Sequence, residues 1–94
     1  MRRAARVDRN HAEITAALRK VGATVCDLSA AGEGCPDLLV GYRGRNFLME
    51  VKDPKQPPSK RKLTPAQEDF RNGWKGQYAV VQTIDDALTV LGLM

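Results

Sequence analysis

Residues 36–53 read P-D-L-L-V-G-Y-R-G-R-N-F-L-M-E-V-K-D, and this stretch decides the fold. Asp37 to Tyr42 and Asn46 to Lys52 are two apolar-rich runs with Arg43-Gly44-Arg45 between them. A tight turn through Gly44 makes them an antiparallel hairpin. Within the second run Phe47, Met49 and Val51 share one face of the strand, and Glu50 and Lys52 share the other. A glutamate and a lysine thus interrupt a strand that otherwise reads as buried. If Arg43-Gly44 is a two-residue turn, positions whose numbers sum to 87 pair and Asp37 falls opposite Glu50, whereas a slightly longer turn moves the match by a residue or two. Directly opposed residues have Cβ atoms ~4.5–5.5 Å apart. Two carboxylates at that distance repel, and the sheet gains nothing from them. A divalent cation between them removes the conflict, and such oxygen donors suit Mg²⁺ or Mn²⁺.

Lys52 lies beside that position. An ammonium has no lone pair and cannot be a ligand. It can polarise a water or neutralise charge growing on a phosphate. Two carboxylates and a lysine around a metal make a site that cleaves phosphodiesters. The plain structural alternative is a salt bridge between Lys52 and Glu50 or Asp37 on a solvated face. The Pro-Asp opening one strand, the glycine turn, and E-V-K on the partner strand favour the chemical reading.

Outward from the hairpin, a helix from about Asn10 to Val21 carries the stripe Ile14, Ala17, Leu18 and Val21 and ends at Gly22. Thr24 to Leu28 reads as a short strand, with Cys26 expected in the core. Residues 29–35 (SAAGEGC) form a small-residue loop. After the hairpin, Asp53 to Lys62 holds three prolines and four basic residues, and is expected to be irregular and exposed. Thr64-Pro65-Ala66-Gln67 is a helix start, with Thr64 as N-cap, Pro65 in the first turn, and Gln67 closing a capping box. Phe70 and Trp74 are expected to face the core from this helix. Tyr78 to Gln82 is a strand. Thr83 caps a last helix with the stripe Ile84, Ala87, Leu88 and Leu91. The order is α-β-β-β-α-β-α, a small α/β domain with a mixed sheet flanked by helices.

Bulk properties agree with one domain spanning residues 1–94, its first nine residues a basic arm. A chain of 94 residues buries only about 60% or so of its unfolded surface, so a second copy would add stability. Hydrophobic residues make up 43%, enough for a folded globule. No apolar run approaches the ~20 residues that span a bilayer. The N-terminal MRRAAR has no apolar segment after it, so it is not read as a signal peptide, and the cytoplasm is the expected location. With two cysteines, one histidine and no CxxC spacing, neither a zinc site nor a Ser or Cys triad is indicated. His11 reads as an exposed helix residue. Nothing points to an organic cofactor. The formal charge of +4 is concentrated in Arg2, Arg3, Arg6 and Arg9, and in Lys55, Lys60, Arg61 and Lys62. Such clusters suit a polyanion, although solvated basic segments are an equally good account of the charge alone.

Residues 34–41 (GCPDLLVG), residues 46–53 (NFLMEVKD) and residues 63–67 (LTPAQ) together resemble the virus-type replication-repair nuclease (VRR-NUC) family. That family belongs to the restriction-endonuclease-like, PD-(D/E)XK superfamily. The likeness extends from about Asp8 to Leu91. It implies a metal-dependent endonuclease acting on DNA, selective for branched or junction structures rather than sequence. It implies Asp37 and Glu50 as Mg²⁺ or Mn²⁺ ligands, with the Val51 carbonyl as a third and Lys52 as the catalytic lysine. Glu13 matches an acidic helix position that joins the site, though a solvated helix carboxylate explains it as well. Gln67 matches a trailing glutamine that orients water or phosphate, with capping an equal account. Stand-alone domains of this kind resemble homodimeric junction resolvases typical of phages, in which case the enzyme acts in the host cytoplasm. The rival reading is a non-catalytic nucleic-acid-binding module that uses the basic segments alone.

Overall fold

The computed structural model describes residues 9–94. The elements are α1 (His11–Lys20), β1 (Thr24–Asp27), β2 (Leu38–Tyr42), β3 (Arg45–Val51), α2 (Pro58–Arg61), α3 (Pro65–Gly73), β4 (Tyr78–Val81) and α4 (Ile84–Val90). The four strands form one sheet in the order β1-β2-β3-β4. Strands β1, β2 and β3 are antiparallel, and β4 runs parallel to β3. The domain is α/β, with a mixed sheet flanked by helices.

The β2–β3 turn has two residues, because Tyr42 pairs with Arg45. Arg43 has φ 51° and Gly44 φ 78°. Left-handed backbone at both central positions matches the right-handed twist of the flanking strands, and glycine adopts it without steric cost. The turn fixes Leu38 opposite Met49 and Val40 opposite Phe47. Both pairs sum to 87, so the register places Asp37, one residue before β2, beside Glu50.

One sheet face is the core. Val25, Leu38, Val40, Phe47, Met49, Val51 and Val81 meet Ile14 and Leu18 of α1 and Ala87 and Leu91 at α4. On α1, Ile14 and Leu18 are fully buried, whereas Val21 at the helix end is 37% exposed. The capping box expected at Thr64 with Gln67 forms, and Thr83, expected as a cap, forms one as well, with Asp86. Among the described residues no helix is long and apolar enough to cross a membrane.

Four expectations are corrected. His11 is buried, because it lies three residues before Ile14 and seven before Leu18, on the core stripe. Cys26 is exposed, since strand alternation sends it to the face opposite Val25. Residues 58–61 form a helical turn in the stretch expected to be irregular: Pro57 is extended at the N-cap and Pro58 occupies the first turn. No residue of α3 is buried, so Phe70 and Trp74 do not join the core. Instead they stack on each other, with ring centroids 5.4 Å apart. Of the basic arm, Arg2, Arg3 and Arg6 lie outside the described residues, and Arg9 is tied down by Asp53, at 3.1 Å.

The opposite sheet face receives α3 through one close backbone approach. Gly34 has φ +79°, and a Cβ there would lie 2.6 Å from the Ala66 carbonyl carbon. The loop before β2 therefore seats the first turn of α3, and only glycine fits. Gly32 has a similar φ of +74° but nothing within 4 Å. Gly34→Ala should lower stability by more than the ~1 kcal/mol expected of backbone strain alone, and Gly32→Ala by about that amount. Thermal denaturation of the two variants checks this; equal losses would refute the packing role.

Candidate active site

The site is built where β2 begins and β3 ends. The Asp37 carbonyl accepts from Leu28 N–H at 2.7 Å, holding the residue at the sheet margin. Its carboxylate Oδ2 accepts from Val51 N–H at 2.8 Å. Glu50 and Lys52 follow on β3 at 3% and 7% exposure. Their charged ends lie 4.0 Å apart, so the salt bridge considered from the sequence is present, but buried rather than solvated. A buried pair of charges is costly unless further hydrogen bonds satisfy it.

Gln67 supplies those bonds. Its Oε1 accepts from Lys52 Nζ at 2.8 Å, and its Nε2 donates to Glu50 Oε2 at 3.2 Å. The reverse amide orientation would set an oxygen against a carboxylate and N–H groups against an ammonium. The same Oε1 also accepts from Thr64 N–H at 2.9 Å, closing the capping box. Capping and site positioning, which read as alternatives in the sequence, are one arrangement. The helix start fixes the glutamine, and the glutamine fixes both charged side chains.

Lys52 is also held through its backbone. Its N–H donates to Val81 C=O at 2.9 Å, and its carbonyl accepts from Asn10 Nδ2 at 3.0 Å. Asn10 Nδ2 donates to Gln82 C=O as well, at 2.7 Å. Asn10 thus pins the start of α1 to the ends of β3 and β4. Sequence reasoning passes over it, because an asparagine before a helix reads as an N-cap, whereas this side chain makes no cap hydrogen bond. Asp53 is missed too. It is 3% exposed, accepting from Arg9 Nε at 3.1 Å and Lys55 N–H at 2.9 Å. The only signal for either is the D that closes E-V-K-D.

The electrostatics show that Asp37 and Glu50 act on one neighbourhood. The Cys35 thiol pKa is raised by burial first, then by the charges of Glu50 and Asp37. The Tyr78 phenol is pushed up to about 12, chiefly by burial and then by Glu50, with Arg71 opposing and Asp37 adding. Two carboxylates with oxygen donors in a partly dry site fit a hard divalent cation.

The sequence matches no protein-family model and no curated protein. A solved structure described as a VRR_NUC domain is similar, with TM-score 0.60 and 28% sequence identity, over 89% of this chain and 91% of that one. The chain thus resembles the VRR-NUC family in fold as well as in its motifs.

The domain brings together Asp37, Glu50, Lys52 and Gln67. Glu13 stands elsewhere: it is exposed on α1 and lines a cavity of about 260 Å³ with Arg9, Asn10, Asp53 and Lys55. None of Asp37, Glu50 and Lys52 lines that cavity. Among the described residues no three His, Cys, Asp or Glu side chains converge as a metal group. Lys55, Lys60 and Lys62 are exposed, and Arg61 is half-buried.

The Asp53 carboxyl is held below its ordinary value, first by the Lys55 N–H and then by Arg9, against the opposing effect of burial. A depressed carboxylate contributes stability that is present above its unfolded pKa, near 3.8, and is lost as pH falls below it. Asp53→Asn should therefore melt below the parent at neutral pH, with the difference shrinking as pH drops below that value. Melting curves across pH 3 to 7, on the order of the carboxylate range, check this; a pH-independent difference would contradict it.

Proposed function

We propose that this domain is a divalent-metal-dependent nuclease that hydrolyses DNA phosphodiester bonds and selects branched or junction DNA by structure. The observation that carries the reading is the buried Glu50–Gln67–Lys52 network beside Asp37. A module that only binds DNA through surface lysines has no use for a lysine and a glutamate ordered below the surface. Burial at 3% and 7% exposure is a cost that a preorganised catalytic site offsets in its function.

Asp37, Glu50 and the Val51 carbonyl would hold Mg²⁺ or Mn²⁺, whereas Glu13, in the first turn of α1, faces the cavity beside Asp53 and would join only if it reorients on binding. The bound cation supplies Lewis acidity and lowers the pKa of water. Lys52 supplies a fixed positive charge. Gln67 aims its ammonium, and the hydrogen bonds of the Lys52 backbone to Val81 and Asn10 fix its stem. An ammonium held in this way stabilises negative charge gathering on the phosphate without reorganising. Asp37 keeps its orientation through Val51 N–H. Lys55, Lys60, Arg61 and Lys62, with Arg2, Arg3 and Arg6, supply phosphate contacts that position DNA without reading sequence.

Cleavage of branched DNA in Mn²⁺ should fall at least about 100-fold in Asp37→Asn, Glu50→Gln and Lys52→Met. Each substitution is close to isosteric and leaves the apolar core untouched, so the fold and DNA binding should persist, although Glu50→Gln and Lys52→Met each strand a buried charge and should lower the melting temperature. Parental cleavage by any of the three would overturn its role, and DNA binding without cleavage by the parent would favour the non-catalytic module. We further propose a two-fold homodimer, supported by the apolar C-terminal Leu93 and Met94, which are 39% and 66% exposed. Light scattering at micromolar concentration should give twice the chain mass; a single-chain mass with full cleavage would refute the dimer.

A further inference from the structure

We infer that Trp74 is a stacking platform for an unpaired DNA base beside the cleavage site, so that the substrate carries unpaired nucleotides next to the scissile phosphate. The inference rests on the nuclease reading and narrows its substrate. Trp74 is 44% exposed, yet three contacts hold its indole. One face stacks on Phe70, with centroids 5.4 Å apart and planes 18° from parallel. The indole Nε1 donates to Gln77 C=O at 3.3 Å. Gly76 approaches so closely that a Cβ there would lie 2.8 Å from Nε1 and 3.2 Å from Cε2. An exposed aromatic ring held in one orientation is ready to stack at little entropic cost, and every base presents a π-face to it.

Its position links it to the site. Gln67 and Phe70 of α3 and Trp74 at its C-cap lie three and four residues apart, along one side of the helix. Gln67 bonds Glu50 and Lys52, so the same stripe begins in the site and ends at the indole. Seven residues of helix span about 10 Å, or about three base steps of stacked DNA. Phe70 also contacts Tyr78, with centroids 6.4 Å apart, and Tyr78 senses the charges of Glu50 and Asp37. Arg71 and Lys75, three residues before Trp74 and one after it, are exposed and suit the phosphate that accompanies a stacked base, whereas Glu68 and Asp69 come earlier in α3. Base pairs inside a duplex offer no open face, so this ring favours flaps, gaps and junction arms with unpaired bases.

Trp74 is the sole tryptophan, so its emission reports on the platform directly. The full chain in EDTA, which prevents cleavage, is titrated with three oligonucleotides: a duplex with a short unpaired strand, a fully paired duplex, and the first with abasic residues in the unpaired strand. Quenching is expected with the first alone. By anisotropy of labelled DNA, Trp74→Ala should weaken binding of the first about 5- to 100-fold and abolish its preference over paired duplex, with Trp74→Phe restoring most of it. Equal quenching by paired or abasic DNA, or an unchanged preference in Trp74→Ala, would overturn the inference. So would an emission shift that depends on protein concentration without DNA, which would mean that a second copy covers the ring. Separately, a parent that cuts DNA in Mn²⁺ while its emission ignores unpaired bases refutes the platform alone, and a parent that cuts nothing refutes the nuclease reading.

Discussion

The two-residue turn at Arg43-Gly44 is the constraint on which the rest depends. Strand side chains alternate with a period of two, so a slip of one residue would exchange the faces of β3. Phe47, Met49 and Val51 would leave the core, and Glu50 and Lys52 would enter it. Left-handed backbone at both turn residues allows one register, and that register places Asp37 beside Glu50. The core and the site are therefore two faces of one decision. Burying the apolar face under α1 and α4 drives the fold, and the polar face is carried with it.

Helix α3 completes what the hairpin begins. It buries none of its own residues, so hydrophobic packing does not account for where it sits. Two polar devices place it instead. Gly34 lets the loop before β2 meet the Ala66 backbone, and Gln67 satisfies both members of a buried ion pair while closing its own helix cap. The segments around Gly34, Glu50 and Gln67 are thus joined by direct contact. Each segment seats the next.

The hairpin, its register and the Thr64–Gln67 capping box are legible in the sequence because each rests on local rules: strand alternation, turn chemistry and side-chain reach over three residues. The convergence of Asp37, Glu50 and Lys52 follows from the register. Other features depend on what packs against them. His11 is buried because of its place on the α1 stripe, although its polarity suggests exposure. Cys26 is exposed because of its parity in β1, although its type suggests the core. Asn10 and Asp53 bond partners 42 and 44 residues away, which no local rule reveals. Phe70 and Trp74 carry an apolar spacing that reads as core, and nothing short of the tertiary arrangement shows that they pack on each other at the surface.

In the proposed enzyme Asp37 and Glu50 form a cation site with Lys52 poised beside it. Crystals soaked in Mn²⁺ and measured at the manganese edge test it most directly. The proposed site predicts an anomalous peak within coordination distance of both carboxylates, lost in Glu50→Gln crystals that keep the same fold. No peak between these carboxylates at saturating Mn²⁺, or a peak only in the cavity lined by Glu13 and Asp53, would contradict it.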